Sequence, residues 1–247
     1  MLSHRSPTVI IAGAIVAGLA ILGIIISAGL VMSDNEQTSP QPPPQSTPAE
    51  PSPEASPSSD LDSSDCGLTE TGPDKPLTRA PAGSDWMMVG RGTGARVEGH
   101  GPGETEPGGY VSCYARTPTG ALLAAANFEM LLTDPNHVER AASELVAEGA
   151  GREALMEAAP ELKTTLETAI MEGNEFSGEW AGFIMHSYDG ERAQVTLLVD
   201  DDGVYYARPV EMRWENGDWR AVRTQTGEPI GETHEVSDAS QYVDWSM

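Results

Sequence analysis

The sequence predicts an α+β domain held outside a membrane by one helix, and three observations carry that prediction. Helix signals crowd the stretch before residue 173, and turn-punctuated strands follow it. A run without charge occupies positions 9–32, and a proline-rich segment separates that run from everything after it. Helices first and strands afterwards place the helices on one face of an antiparallel sheet, because alternating βα units would be needed for a parallel one.

Val9 to Met32 gives 24 residues without Asp, Glu, Lys or Arg, and Arg5 is the only fixed side-chain charge before them. Rising about 1.5 Å per residue, such a helix spans a hydrocarbon core of roughly 30 Å. A basic residue on its N-terminal side, with Asp34 and Glu36 on the other, makes residues 1–8 a cytoplasmic tail and sends the rest outside. The expected location is therefore the cell membrane, crossed once. A cleaved signal competes, but its apolar core is usually about 7–15 residues and ends at a small-x-small site. Here Ser27-Ala28-Gly29 lies inside the run, and no Cys directly follows it to carry a lipid. Gly13 and Ala17, like Ala14 and Gly18, have the spacing that lets two helices approach closely, which leaves a homo-oligomer open.

Residues 33–65 contain eight prolines among Ser, Thr, Gln, Glu and Asp. Low hydrophobicity with dense proline reads as a disordered, extended stalk, on the order of 100 Å if fully stretched. Residues 66–247 are enough for one domain with its own core. Arg5 is one of 14 Lys and Arg, so 13 follow the anchor against all 38 Asp and Glu, a formal charge of −25. A field of that sign repels DNA and anionic lipid, so direct nucleic acid binding is not expected. Cys66 and Cys113 both fall in the outer domain, where an isolated pair is most simply a disulfide, with two free thiols as the other reading.

Along the domain, 66–109 is an irregular Gly/Pro-rich lead-in with one short strand around Trp86-Met87-Met88-Val89. Tyr110 to Ala115 alternates like a strand, with Val111, Cys113 and Ala115 on its apolar side. Thr117-Pro118 is a cap followed by a favoured first helical residue, and the helix from Ala121 to Leu132 has only Asn127 and Glu129 as polar side chains. A helix apolar nearly all round must be covered on most sides. Asp134-Pro135 opens a second helix, with Val138, Ala141, Ala142, Leu145 and Val146 in one stripe. A third runs from Arg152 to Glu172 with Leu155, Leu162, Leu166, Ala169 and Ile170 on its buried side, and Pro160 should break or kink it. Strands follow at about 177–187, 192–199, 203–214 and 218–224, with Asn216-Gly217 as the strongest hairpin signal.

This order, ending in Trp214-Glu215-Asn216-Gly217-Asp218-Trp219-Arg220, resembles the NTF2-like superfamily, whose curved antiparallel sheet wraps its helices into a cone. A narrower resemblance rests on Thr117-Pro118-Thr119-Gly120-Ala121-Leu122-Leu123-Ala124-Ala125-Ala126-Asn127, together with the anchor, the Pro/Ser spacer and the Gly/Pro-rich lead-in. These look like actinobacterial membrane proteins of integrative and conjugative elements. Their outer domain is similar to the NTF2-like scaffold subunit of type IV secretion systems. The resemblance covers most of 1–225 and leaves the tail 226–247 without a counterpart. It implies a non-enzymatic scaffold of a DNA-transfer apparatus, whose partners are other proteins of that apparatus. An NTF2-like domain that binds a small ligand or a cell-wall component is the alternative, which calls for a deep pocket holding a buried acid or His.

His4, His100, His137, His186 and His234 lack metal spacing, and Asp200-Asp201-Asp202-Gly203 lacks the alternating ligands of a calcium loop. Gly90-Arg91-Gly92-Thr93-Gly94 lacks the Lys of a phosphate cradle. No catalytic, cofactor-binding or metal residue is assigned. The candidates for a pocket or interface are Asn127, which points into the cone or bonds the backbone, and Trp180, Trp214 and Trp219.

Overall fold

The computed structural model describes residues 64–247; the predicted tail at 1–8, the anchor at 9–32 and the stalk up to residue 63 lie outside them. Among the described residues no helix is long and apolar enough to cross a membrane. The elements are β1 (Asp85–Val89), β2 (Gly92–Arg96), β3 (Glu104–Thr105), β4 (Val111–Ser112), α1 (Pro118–Leu132), α2 (Val138–Glu144) and α3 (Ala150–Glu172). β5 (Glu179–Tyr188), β6 (Arg192–Asp201), β7 (Val204–Glu215), β8 (Asp218–Ala221), β9 (His234–Val236) and β10 (Val243–Asp244) complete the chain. The fold is α+β, with three helices among the described residues and a main sheet that is antiparallel throughout.

The strands of the main sheet lie in the order β10-β5-β6-β7, and β7 is long enough to pair β9 with its first half and β8 with its second. Two-residue turns set the register. Asp202 and Gly203 have φ of 53° and 86°, Asn216 and Gly217 53° and 77°. Two successive positive φ values define the turn whose twist matches the flanking strands, and Asp, Asn and Gly tolerate them. Two register shifts in β5, at Trp180/Gly182 and Met185/Ser187, bend that strand. The period-two alternation then sends Phe183, Val195, Leu197, Val210 and Met212 into the core.

α1 is the centre of that core. Every residue from Pro118 to Leu131 is buried. The β1–β2 hairpin lies against the helix, as do β6, β7 and β8 of the main sheet and α2. These covers are why an apolar circumference is stable here. Thr117 caps the helix as expected, accepting from the Gly120 N–H at 2.9 Å.

The structure differs from the sequence expectations in four places. α2 begins at Val138, because Asp134 to His137 form a turn in which the Asn136 N–H donates to Asp134 Oδ1 at 2.8 Å. It also ends at Glu144. Leu145 and Val146 stay buried but leave the helix, and Val146 bridges Ala221, so β8 gains hydrogen bonds on the edge away from β7. α3 runs unbroken through Pro160. The carbonyl deprived of its N–H there is that of Met156, and both residues face solvent, where water meets the need.

The other two differences concern the approach to α1 and the tail. Pairing in β4 stops at Ser112, and Cys113 adopts a left-handed φ of 67°. The backbone N–H groups of Cys113 and Tyr114 then both donate to the Asp218 carboxylate, at 3.1 and 2.9 Å. All residues from Tyr110 to Ala115 except Ser112 are buried, so the expected alternation is lost. Tail residues 226–247 return to the sheet as β9 and β10. Trp245 is buried against Trp86 and Phe183, with ring centroids 5.1 and 5.9 Å away, and its indole N–H donates to Ser84 Oγ at 3.1 Å. The tail thereby ties the β1–β2 hairpin to the main sheet.

Candidate functional site

The four candidate residues fall at different points of one core. Asn127 is completely buried on α1. Its Oδ1 accepts from the Ala95 N–H at 2.9 Å, and its Nδ2 donates to the Ala95 carbonyl at 2.9 Å and to the Tyr114 hydroxyl at 3.0 Å. That amide therefore joins β2 to the helix, satisfying both backbone groups of Ala95 on the edge of β2 away from β1. The approach is so close that a Cβ at Gly94 would stand 2.4 Å from Asn127 Oδ1. Trp219 is buried between Trp214 and Tyr188, at centroid distances of 5.5 and 5.7 Å, and donates to the Ala115 carbonyl at 3.0 Å. Trp214 is half-buried beneath the Arg116 guanidinium, and Trp180 is buried at the other end of the sheet.

Cys66 and Cys113 form a disulfide, 6.2 Å apart at Cα. Beside it opens a cleft of about 380 Å³ between the end of α2, β3–β4 and the β7–β8 turn. Arg140, Arg152, Arg220, Glu104, Glu144 and Asp218 line it. Its charges are largely paired internally. Arg140 bonds Glu106 at 2.8 Å and Glu144 at 2.9 Å while lying 3.8 Å over the Tyr110 ring. Arg220 is 3.6 Å from Asp218, whose carboxylate also accepts from the Trp219 N–H at 2.8 Å. Burial pushes Asp218 up to about 6, against the opposing pull of Arg220 and its three backbone donors. This carboxylate braces the disulfide segment against β8. Such a cleft can exchange ion pairs with a charged ligand at its rim.

His100, His137 and His186 are held in structural contacts. His100 Nδ1 lies 2.9 Å from Thr117 Oγ1, and burial holds its pKa down. His186 bonds Thr196 across β5 and β6, and His137 bonds the Gly108 carbonyl. Among the described residues no cluster of three His, Cys, Asp or Glu is arranged for a metal. Asp200 uses its carboxylate to cap the Asp202-Gly203 turn at the Gly203 N–H.

α3 presents a different surface. Only Gly151, Leu155 and Ala159 are buried, all in its first half. Its packing partner is α2, to which Lys163 adds an ion pair with Glu139 at 2.9 Å. Beyond it, Leu162, Leu166, Ala169 and Ile170 keep helical spacing and are only partly buried, and Met171 is 78% exposed. The side expected to be buried as far as Ile170 is fully buried only to Ala159 and partly buried after it.

The sequence marks Glu129 as a polar residue on an apolar helix but does not reveal its partners. Glu129 of α1 contacts Arg208 of β7 at 2.7 Å and Arg223 beyond β8 at 3.1 Å. A signal for it exists: Arg208 is in phase with Val210 and Met212, so period-two alternation turns it toward the helices.

The fold and these surfaces define an α+β domain carrying a charge-lined cleft and a partly buried apolar helix stripe. The chain belongs to the family described as "Domain of unknown function (DUF8175)", whose model matches residues 46–244. That match takes in part of the predicted stalk and the returning tail as far as β10. No curated protein and no solved structure matches the chain.

Proposed function

We propose that the protein is a membrane-anchored, non-enzymatic scaffold or assembly protein of a conjugative DNA-transfer apparatus of the type IV secretion kind. Its outer domain is NTF2-like, and it works by binding other proteins. The observation that carries this reading is the distal half of α3. Leu162, Leu166, Ala169 and Ile170 form a partly buried apolar stripe beyond Ala159, the last fully buried residue of the helix, flanked by Glu161, Glu167 and Glu172. A partly exposed apolar stripe with a charged rim resembles the anatomy of a protein-binding surface. The cone reading is supported by three helices on a bent antiparallel meander that closes on the Trp214–Trp219 hairpin.

In this mechanism the anchor and stalk act by tethering. Holding the domain near the membrane raises its effective concentration for channel subunits without adding a contact. The outer charge of −25 disfavours DNA as the direct ligand and favours partners with basic surfaces. Cross-linking of the full-length protein in its native membrane tests the proposal. Capture of a coupling ATPase or channel subunits is the expected result. Capture of wall-synthesis enzymes, or of the protein itself alone, overturns it.

A further inference from the structure

Successive residues of an α-helix are turned about 100° from one another, which fixes what lies on each flank of the α3 stripe. With Leu162 as the zero, Leu155, Ala159, Leu166, Ala169 and Ile170 fall within about 80° of it. Lys163 stands about 100° to one side, and Glu172, Glu161 and Glu157 stand about 80°, 100° and 140° to the other. The two flanks differ in what borders them. Lys163 reaches Glu139 of α2 at 2.9 Å, so α2 lies along its flank. On the opposite flank Glu157, Ala158, Glu161, Thr168 and Glu172 are exposed. Among the described residues none of those three glutamates pairs with a Lys or Arg, and Glu172 accepts from the Asn174 amide at 3.4 Å.

This acidic flank costs the isolated helix stability. Glu153, Glu157 and Glu161 follow one another at i, i+4 spacing, where like charges repel. Glu172 stands in a last turn that holds no basic residue, at the end where backbone carbonyls already carry negative partial charge. Cations laid along the flank from outside relieve both arrangements. The α3 backbone is hydrogen-bonded along its own axis and offers no edge for an added strand, so an occupant must satisfy its own backbone. A helix does so, and about four turns of one match the roughly 22 Å from Glu157 to Glu172. A second copy of this face would set the same glutamates against each other.

We infer that this flank of α3 receives an amphipathic helix of another protein, carrying Lys or Arg along the edge that meets Glu157, Glu161 and Glu172. The apolar side of that helix seats on the partly exposed edge of the stripe, at Leu162 and Ala169. The formal charge of −25 on the outer part steers a basic partner toward the domain, and the glutamates fix where it lands. The inference rests on the reading of α3 as the partner-binding surface. It adds the partner's charge, its secondary structure and the flank it occupies.

The test places a photo-cross-linking residue at position 168, on the acidic flank, in the full-length protein in its native membrane. Mass spectrometry then identifies the captured segment. The expected result is a channel subunit or coupling ATPase captured through an amphipathic helix with Lys or Arg on one edge. Capture should fall steeply as salt rises from about 50 to 500 mM. Glu157→Gln, Glu161→Gln and Glu172→Gln together should lower capture about tenfold, the combined effect of three exposed ion pairs. That variant should melt no lower than the unaltered protein, because it removes like-charge repulsion, so lost capture is not lost folding. Glu157→Asp, Glu161→Asp and Glu172→Asp together keep the charge and should keep most of the capture. Several results overturn this inference while leaving the scaffold reading in place. They are capture of channel subunits through an acidic or uncharged segment, capture indifferent to salt, full capture by the glutamine variant, and capture of those subunits from position 166 but not 168. Capture of no channel subunit or coupling ATPase from either position overturns both.

Discussion

α1 and α3 each carry an apolar face, yet one is wholly buried and the other largely is not. The difference lies in what stands around them. α1 is covered by the β1–β2 hairpin, by β6 to β8 and by α2, whereas α3, 23 residues and so about 34 Å long, packs chiefly on α2, with its first turns also against the chain from Arg223 to Gly227. Hydrophobic spacing tells which way a helix turns; the number of neighbours decides whether that face is core or surface. Under the proposed function, the contrast gives α1 the stability of the domain and α3 its recognition.

Substitutions can break that contrast, starting with the largest effect. Leu123→Ala in α1 removes a completely buried side chain among close-packed neighbours and should destabilise the domain by about 2–5 kcal/mol in chemical denaturation. A cost near that of a surface change would mean that α1 is not the core. Cys113→Ser should lower stability by about 2–4 kcal/mol under oxidising conditions, because it opens a loop spanning 47 positions. An unchanged melting temperature would remove the disulfide from the account. At the small end, Leu166→Ala should cost about 1 kcal/mol, since that side chain is only partly buried. The same change should weaken partner capture strongly, and this pairing of small and large effects is what distinguishes a surface from a core.

The bracing carboxylate between these regions sharpens the comparison through pH. Asp218 ionises near pH 6 in the folded protein and at the ordinary value of 3.8 when unfolded. Between those values the folded state holds more protons, so its contribution to stability is fully present below about pH 4 and is lost as pH rises through about 6. Asp218→Asn cannot ionise. The melting-temperature difference between the unaltered protein and this variant should therefore shrink or change sign across that window and flatten above it. A difference independent of pH would show that burial does not govern this group.

How much of this was legible from sequence follows from how local each signal is. Thr117-Pro118 and Asn216-Gly217 act within a few residues, and the helix and hairpin they announce form where expected. Leu145 and Val146 have the same spacing in a helix as in a chain turned out to meet Ala221, so only the distant strand decides between them. β9 and β10 are too short and polar to give a periodic pattern, and Trp245 finds Trp86 and Phe183 only once the sheet exists. Asn127 stood out as one of the two polar side chains on an apolar helix, but its partner is backbone from β2. Glu129 stood out equally, and its arginines come from strand and loop far along the chain.

The most direct measurement places a photo-cross-linking residue at position 166 or at position 202 of the full-length protein in its native membrane. Position 166 lies on the α3 stripe, and 202 lies in the exposed β6–β7 turn. The account predicts that 166 captures a channel subunit or coupling ATPase and that 202 does not. Equal capture from both positions, or capture of those proteins from 202 alone, would contradict it.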